Sequence, residues 1–130
     1  MIRHRGALLA HVVLLGAVVP YLPTIDDYFV QDDFGVVSLL STKPVTYFPL
    51  WFVSPWMDDI WGYSPDELRP FPAATYQVAA LFGAGSPTAN HVINIAFHAV
   101  NAWLVFRIAE VAVGLMPVAA AFGGLVFATR

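Results

Sequence analysis

The 130-residue sequence contains no cysteine and few charged residues. The lack of cysteine excludes disulfide bonds and thiolate metal ligands. Charged residues make up 12% of the chain and hydrophobic residues 58%, whereas a soluble domain carries roughly a quarter of charged residues. So few charges cannot cover a water-facing surface, so the composition predicts an integral membrane protein. The chain also has no basic patch, so nucleic acid is not expected as a partner.

The few charges are sorted along the chain. Eight of the nine acidic residues lie between Asp26 and Glu67, where Lys43 is the single basic residue. Arg3 and Arg5 precede the first apolar run. Because cytoplasmic segments of membrane proteins are enriched in Lys and Arg, this pattern predicts a cytoplasmic N-terminus, residues 1–5, and a non-cytoplasmic acidic segment.

The first apolar run, residues 6–23, predicts a transmembrane helix. Its 18 residues would span about 27 Å, close to the roughly 30 Å of a hydrocarbon core. A cleaved signal peptide is the alternative, because Arg3 and Arg5 would form its basic start. The following "PYLPTIDD" offers no small-residue cleavage site, which favours an uncleaved helix.

Residues 24–87 form a loop interrupted by seven prolines, so no long helix can cross it. The loop is rich in aromatic residues, which is typical of an ordered and functional segment rather than a linker. We expect two short helices in it, over 33–40 and from "RPFP" to Gly83 or Gly85. The second has apolar residues at helical spacing that would suit the membrane interface; these are Phe71, Ala74, Val78, Leu81 and Phe82.

After the loop, Ser86 and Pro87 have the positions of an N-cap and first helical residue. Residues 88–113 predict a second transmembrane helix, 114–117 a cytoplasmic turn, and 118–130 the start of a third helix. The predicted fold is an all-α integral membrane protein with two full transmembrane helices, the start of a third, and a large non-cytoplasmic loop containing short helices. We expect the chain to be part of a longer protein.

The stretch "FVQDDFGVVS" places two adjacent carboxylates, Asp32 and Asp33, among apolar residues. Neighbouring side chains point about 100° apart on a helix and to opposite sides of a strand. We therefore expect one of the two to face a cleft, while the other caps a helix or holds the local fold. A carboxylate in apolar surroundings is suited to act as a general base.

Other polar residues are candidates for binding. His91, Asn94, His98 and Asn101 follow a helical spacing and form one stripe, which predicts either hydrogen bonding between helices or a site for an anionic head group. The two histidines lie about 10 Å apart along a helix, too far to ligate one metal ion, so no metal site is predicted. Of the two histidines, His91 is the better substrate-binding candidate because it lies near the loop. Arg69 precedes a proline-started helix, which suits a phosphate or contact with lipid phosphates.

Three motifs in order, "FVQDDFGVV", "LRPFPAATYQVAALFG" and "NHVINIAFHAVNAWLVF", resemble the N-terminal part of GT-C membrane glycosyltransferases. The likeness is nearest to their protein O-mannosyltransferase-like and tetratricopeptide-containing branch. It implies transfer of a sugar from a polyprenyl-phosphate donor to a protein or glycan acceptor, at the outer face of the plasma (inner) membrane.

By the same resemblance, Asp32 and Asp33 form the catalytic pair, with Asp32 as the base that deprotonates the acceptor hydroxyl. Arg69 would assist the phosphate or organise the loop, and a divalent metal ion is a candidate cofactor. Two other functions fit the composition without the resemblance. The chain could act as a non-catalytic membrane scaffold whose loop binds a partner, or as a lipid-binding or transport module that uses the His/Asn stripe.

Overall fold

The computed structural model describes residues 2–31, 33–55, 67–83 and 85–130. Within these ranges the chain is helical and contains no strand, which agrees with the predicted all-α fold class. The α-helices are Ile2–Val18 (α1), Asp33–Thr42 (α2), Pro70–Gly83 (α3), Pro87–Arg107 (α4) and Pro117–Ala128 (α5). Two 3₁₀ helices, Val19–Asp26 and Val45–Phe52, and a π-helical turn, Ile108–Ala112, complete the element order.

The helix starts and ends follow proline and glycine. α2 and α3 confirm the two short helices expected in the loop. At the start of α4, the Ser86 hydroxyl accepts a hydrogen bond from the Ala89 amide at 3.2 Å, as an N-cap does. Pro87 and Pro117 are the first residues of their helices, where the missing N–H of proline costs nothing.

The turn before α5 depends on a glycine. Gly114 has a φ of 76°, a left-handed conformation that a residue with a Cβ adopts only with strain. This conformation lets the amide of Leu115 bond back to the carbonyl of Ala109 at 3.0 Å, as in a Schellman motif. The predicted tight turn at this position is confirmed.

The first apolar stretch differs in detail from the single helix predicted over residues 6–23. The α-helical part ends at Val18, and the chain continues as a 3₁₀ helix to Asp26. The cause is Pro20, whose ring disfavours α geometry in the residue before it and cannot donate a helical hydrogen bond. The tighter 3₁₀ winding keeps the segment helical past the proline.

In the described part of the chain, two helical stretches are long and apolar enough to cross a membrane. They cover Gly6–Asp26, 21 residues, and Pro87–Ala112, 26 residues. Only 11% of the first apolar window and 17% of the second is buried inside the protein. α5 is also apolar but has 12 residues, too few for a full span.

The chain forms two compact units. The first, called here the helical unit, comprises Met1–Ile25 and Asn94–Arg130. Small side chains dominate its core, which allows close approach of helix backbones. The buried residues are Val13, Ala17, Ala99, Ala102, Phe106, Ala120, Ala121 and Ala128.

The second unit, called here the loop unit, comprises Asp26–Ile93. Trp51 is at the centre of its core, 2% exposed, and packs with Val36, Leu40 and Ala73. Trp51 belongs to the 3₁₀ helix Val45–Phe52, which was not predicted because Pro49 interrupts any α-helical pattern there. The loop therefore has its own hydrophobic core around Trp51, which agrees with the ordered segment that its aromatic content predicts.

Candidate functional site

Asp33 is held by two hydrogen bonds, one to each carboxylate oxygen. Its Oδ2 accepts from the backbone amide of Val30 at 3.2 Å, and its Oδ1 accepts from the hydroxyl of Tyr76 at 3.3 Å. The amide of Asp33 donates to the carbonyl of Val30 at 3.2 Å, so the two residues close a reciprocal turn like half of a capping box. Asp33 thus starts α2 and ties it to α3.

The backbone is strained directly before the acidic pair. Gln31 has a φ of 52°, the one non-glycine residue with positive φ among those described. Such conformations cost of order 1–3 kcal/mol and persist where the surrounding structure enforces them, often at functional sites. Asp32, the predicted base, follows Gln31 and lies outside the described residues.

The partner of Asp33 on α3 has an altered acidity. Burial raises the pKa of the Tyr76 phenol above its ordinary value of 10.0, and the negative charge and hydrogen bond of Asp33 raise it further. The phenol therefore stays protonated and continues to donate to Asp33 at neutral pH. The hydrogen bond from Tyr76 keeps the carboxylate of Asp33 in a fixed position.

The buried side-chain amide of Gln77 joins α3 to the chain around the 3₁₀ helix Val45–Phe52. Gln77, 4% exposed, accepts a hydrogen bond from the indole N–H of Trp51 at 3.1 Å. Its Nε2 donates to the carbonyls of Pro44 at 2.7 Å and Lys43 at 3.3 Å. The Gln77 side chain therefore uses both the oxygen and the nitrogen of its amide. The oxygen bonds to Trp51 near the end of the 3₁₀ helix Val45–Phe52, and the nitrogen bonds to the two residues that precede this helix.

Arg69 lies immediately before α3, as expected. Its Nη2 is 2.6 Å from Oε2 of Glu67, and both side chains are about half exposed. Arg69 and Glu67 therefore form a local ion pair, and an exposed pair of this kind contributes little stability.

His91, the other predicted substrate-binding residue, lies in the first turns of α4. The side chain is half-buried, and its Nε2 is a buried nitrogen with no hydrogen-bond partner within the described part of the chain. An unpaired buried donor or acceptor costs about 1–3 kcal/mol, so each instance requires an explanation. A ligand of this nitrogen would satisfy it.

His98 has a packing role instead. Its Nε2 is 2.9 Å from the carbonyl oxygen of Ala128, and because a carbonyl only accepts, this nitrogen carries the proton. The ring also stacks on Phe127 and meets the edge of Tyr21, whose hydroxyl donates to the same carbonyl at 3.3 Å. Interhelical hydrogen bonding, one of the two alternatives for the stripe, is thus observed at His98.

The asparagines of the stripe are on its outer edge. Asn94 and Asn101 are exposed, whereas His91 and His98 are half-buried. Each asparagine is three residues from a histidine of the stripe, which turns it about 60° around the helix. The predicted stripe therefore lies along the boundary between the packed and open faces of α4.

The sequence patterns missed three polar residues that organise the loop unit: Tyr76, Gln77 and Asn90. Asn90 is 7% exposed, and its Nδ2 donates to the carbonyl of Ser86 at 3.0 Å. Gln77 is the one amide side chain of α3, and this is the one local signal that could have identified it. Tyr76 and Asn90 have no such signal, because their neighbours in the sequence are also of mixed polarity.

The described side chains provide no cluster for a metal ion. Within residues 2–31, 33–55, 67–83 and 85–130, no three His, Asp or Glu side chains come together with metal-binding geometry. Asp33 uses both oxygens for hydrogen bonds within the protein.

Comparisons with known proteins add no relative to these observations. No family model matches the chain, and no curated protein or solved structure matches it. The site is thus defined by the geometry of the loop unit and by the order of its motifs in the sequence.

Proposed function

We propose that the chain is the N-terminal part of a membrane glycosyltransferase, which moves a sugar from a polyprenyl-phosphate donor to an acceptor hydroxyl on the non-cytoplasmic side. The acceptor is a protein or a glycan. The two candidate spans cross the plasma (inner) membrane, and the loop unit presents the acidic pair at its outer face.

The outward-facing side chains support membrane insertion. Large apolar residues such as Leu8, Leu15, Phe97 and Phe122 are between 51% and 69% exposed. A core helix of a soluble protein would bury this surface, because exposed apolar patches of this extent are rare in soluble proteins. The basic residues before α1 and the acidic residues of the loop favour the stated orientation.

The observation that carries the catalytic assignment is the double hydrogen bond of Asp33. With both oxygens held by Val30 and Tyr76, Asp33 acts as the positioning member of the pair. The adjacent Asp32 then acts as the base. In the sequence it directly follows Gln31, whose backbone is strained. This division agrees with the sequence expectation that one carboxylate reacts and its neighbour holds the local fold.

In the proposed reaction, Asp32 removes the proton of the acceptor hydroxyl as its oxygen attacks the anomeric carbon of the sugar. The bond between the anomeric carbon and the phosphate oxygen breaks, and its electron pair leaves with the polyprenyl phosphate. The sugar is transferred with inversion. Arg69 and His91 bind the phosphate, Arg69 through its guanidinium fork and His91 through Nε2.

The test is sugar transfer in membranes that carry the protein expressed from its natural gene, with a radiolabelled polyprenyl-phosphate sugar. Asp32→Asn should lower kcat by about 10²–10⁴-fold, the usual contribution of a general base. Asp33→Asn should have a smaller effect, because an amide oxygen still accepts one hydrogen bond. Full transfer by Asp32→Asn in a folded protein would show that the base assignment is wrong.

A matched control removes two charges from the same loop. Asp26 and Asp27 form an exposed acidic pair, and Asp26→Asn with Asp27→Asn should leave transfer unchanged. Donor binding without transfer in the unmodified protein would instead favour a lipid-binding or transport module. Neither binding nor transfer would favour a scaffold.

A further inference from the structure

The helical unit contains a cavity of about 530 Å³ with one polar end. Gly6, Ala7 and Ala10 of α1 form one wall, and Trp103 and Phe106 of α4 form the other. The volume lies within the roughly 300–1,000 Å³ typical of small-molecule sites. On the α1 side of the cavity, none of the three lining residues has a side chain larger than a methyl group.

The polar end combines one cation and one anion. Arg107 and Glu110 line the cavity, with Nη1 of Arg107 2.7 Å from Oε2 of Glu110. The Glu110 side chain is 18% exposed and that of Arg107 46% exposed. Such an arrangement offers a donor fork for a phosphate and, next to it, an acceptor for an ammonium group.

Glu110 lies where the helix changes its winding. Arg107 ends α4, and the chain continues as the π-helical turn Ile108–Ala112 that contains Glu110. π-helical turns are rare and frequently occur at functional sites. At Gly6, a Cβ would lie 3.4 Å from Oε1 of Glu110, so Gly6 is directly beside this carboxylate.

The position of the cavity suits the membrane interface. Tryptophan is enriched at the level of lipid head groups, and Trp103 precedes Arg107 by about one helical turn. Arginine near a helix end extends its guanidinium to the same level. Gly6 directly follows the basic sequence of Arg3 and Arg5, which the charge sorting assigns to the cytoplasmic side.

We propose that this cavity binds a phospholipid of the cytoplasmic leaflet with a zwitterionic head group, of the phosphatidylethanolamine class. Arg107 binds the phosphate, Glu110 binds the primary ammonium, and one acyl chain lies along Gly6, Ala7 and Ala10. The inference rests on the membrane insertion of the proposed function but not on sugar transfer, since the cavity lies wholly in the helical unit.

Native mass spectrometry of the purified chain in detergent tests the proposal. The probes are phosphatidylethanolamine and phosphatidylglycerol with identical acyl chains, added separately, and the readout is the dissociation constant of each. Glu110→Gln should weaken phosphatidylethanolamine binding about tenfold, the loss of one charge-assisted hydrogen bond, and should leave phosphatidylglycerol binding unchanged. Arg107→Gln should weaken both lipids.

Two further variants distinguish lipid binding in this cavity from a general effect of the protein's charge on lipid binding. Ala10→Leu fills the apolar groove without changing charge, so it should weaken both lipids. Asp27→Asn likewise removes one carboxylate charge, at an exposed position of the loop unit, so it should alter neither dissociation constant. Circular dichroism confirms that each variant retains its helix content.

Three results would overturn the proposal. One is an unchanged ratio of the two dissociation constants in Glu110→Gln, and another is unchanged binding in Ala10→Leu. The third is a dimer without bound lipid in the mass spectra, which would assign the groove to a helix of a second copy. If the protein is released from membranes by alkaline carbonate, the proposed insertion itself fails, whereas absent sugar transfer leaves the lipid result standing.

Discussion

The hydroxyl of Tyr76 on α3 donates a hydrogen bond to Oδ1 of Asp33 at the start of α2, across 3.3 Å. The two residues are 43 positions apart in the sequence. This bond joins Asp33, and with it the first turn of α2, to the helix that follows Arg69.

The variant Tyr76→Phe should destabilise the loop unit by about 1 kcal/mol, because Asp33 loses one of its two donors and the bond is only partly buried. Hydrogen–deuterium exchange of α2 and α3 amides in detergent measures this free energy. Tyr28→Phe is the matched control: Tyr28 is 70% exposed, and its change should lie within about 0.5 kcal/mol of zero. Equal effects of the two variants would contradict a supporting role for Tyr76.

The raised pKa of Tyr76 predicts how stability varies with pH. Folding keeps the phenol protonated above its ordinary pKa of 10.0, so between that pH and the higher folded pKa the unfolded chain binds fewer protons than the native one. The contribution of Tyr76 to the free energy of unfolding of the loop unit is therefore complete below pH 10.0. It is lost as the pH rises through the folded pKa. Tyr76→Phe should remove this fall.

The same pKa distinguishes the effects of burial and charge. Tyrosinate absorbance, taken as the difference between the unmodified protein and Tyr76→Phe, gives the pKa of this one phenol. Asp33→Asn removes the negative charge but leaves burial, the largest cause, in place. The pKa should therefore fall only part of the way to its ordinary value, and a complete return would assign the whole shift to Asp33.

Proline positions in the sequence predicted where most of the helices begin. Pro70, Pro87 and Pro117 start α3, α4 and α5, because proline fits the first turn of a helix and disfavours helix in the residue before it. The large apolar residues predicted for the membrane interface on α3 also remain outside the core of the loop unit: Phe71 and Phe82 are 74% and 81% exposed.

The polar connections of the site could not be predicted in the same way. Trp51 and Gln77 are 26 positions apart, and nothing in the residues next to either one indicates the other. The 3₁₀ helix that contains Trp51 lacks the 3.6-residue period on which helix prediction depends. The sequence therefore indicates that the acidic pair has divided roles, but the side chains that hold Asp33 come from tertiary contacts.

Gln77 should be the most sensitive polar position in the loop unit. Gln77→Met keeps the volume but leaves the Trp51 N–H and the Pro44 carbonyl without partners, at about 1–3 kcal/mol each, so we expect a loss of about 2–6 kcal/mol. Exchange of the α3 amides measures it. The control is Thr75→Val, which removes only a bond to Pro72 of the same helix.

A double-variant cycle makes this prediction specific to the indole–amide bond. Trp51→Phe removes the donor that Gln77→Met leaves unpaired, so the double variant should lose less free energy than the sum of the single losses. Strict additivity would mean that the two side chains contribute independently. In that case the 3.1 Å contact would be a consequence of packing and not one of its causes.

Two adjacent glycines of α5 predict opposite outcomes in the helical unit. A Cβ at Gly124 would lie 3.0 Å from Cγ1 of Val13 and 3.2 Å from the Cβ of Phe106, whereas a Cβ at Gly123 would meet nothing within 4 Å. Gly124→Ala should therefore cost about 1–3 kcal/mol through overpacking of three helices. Gly123→Ala should be neutral or should stabilise the helix by up to about 1 kcal/mol. Thermal unfolding in detergent, followed by circular dichroism, measures both, and a higher Tm for Gly124→Ala than for Gly123→Ala would contradict the close approach of α1, α4 and α5 at this glycine.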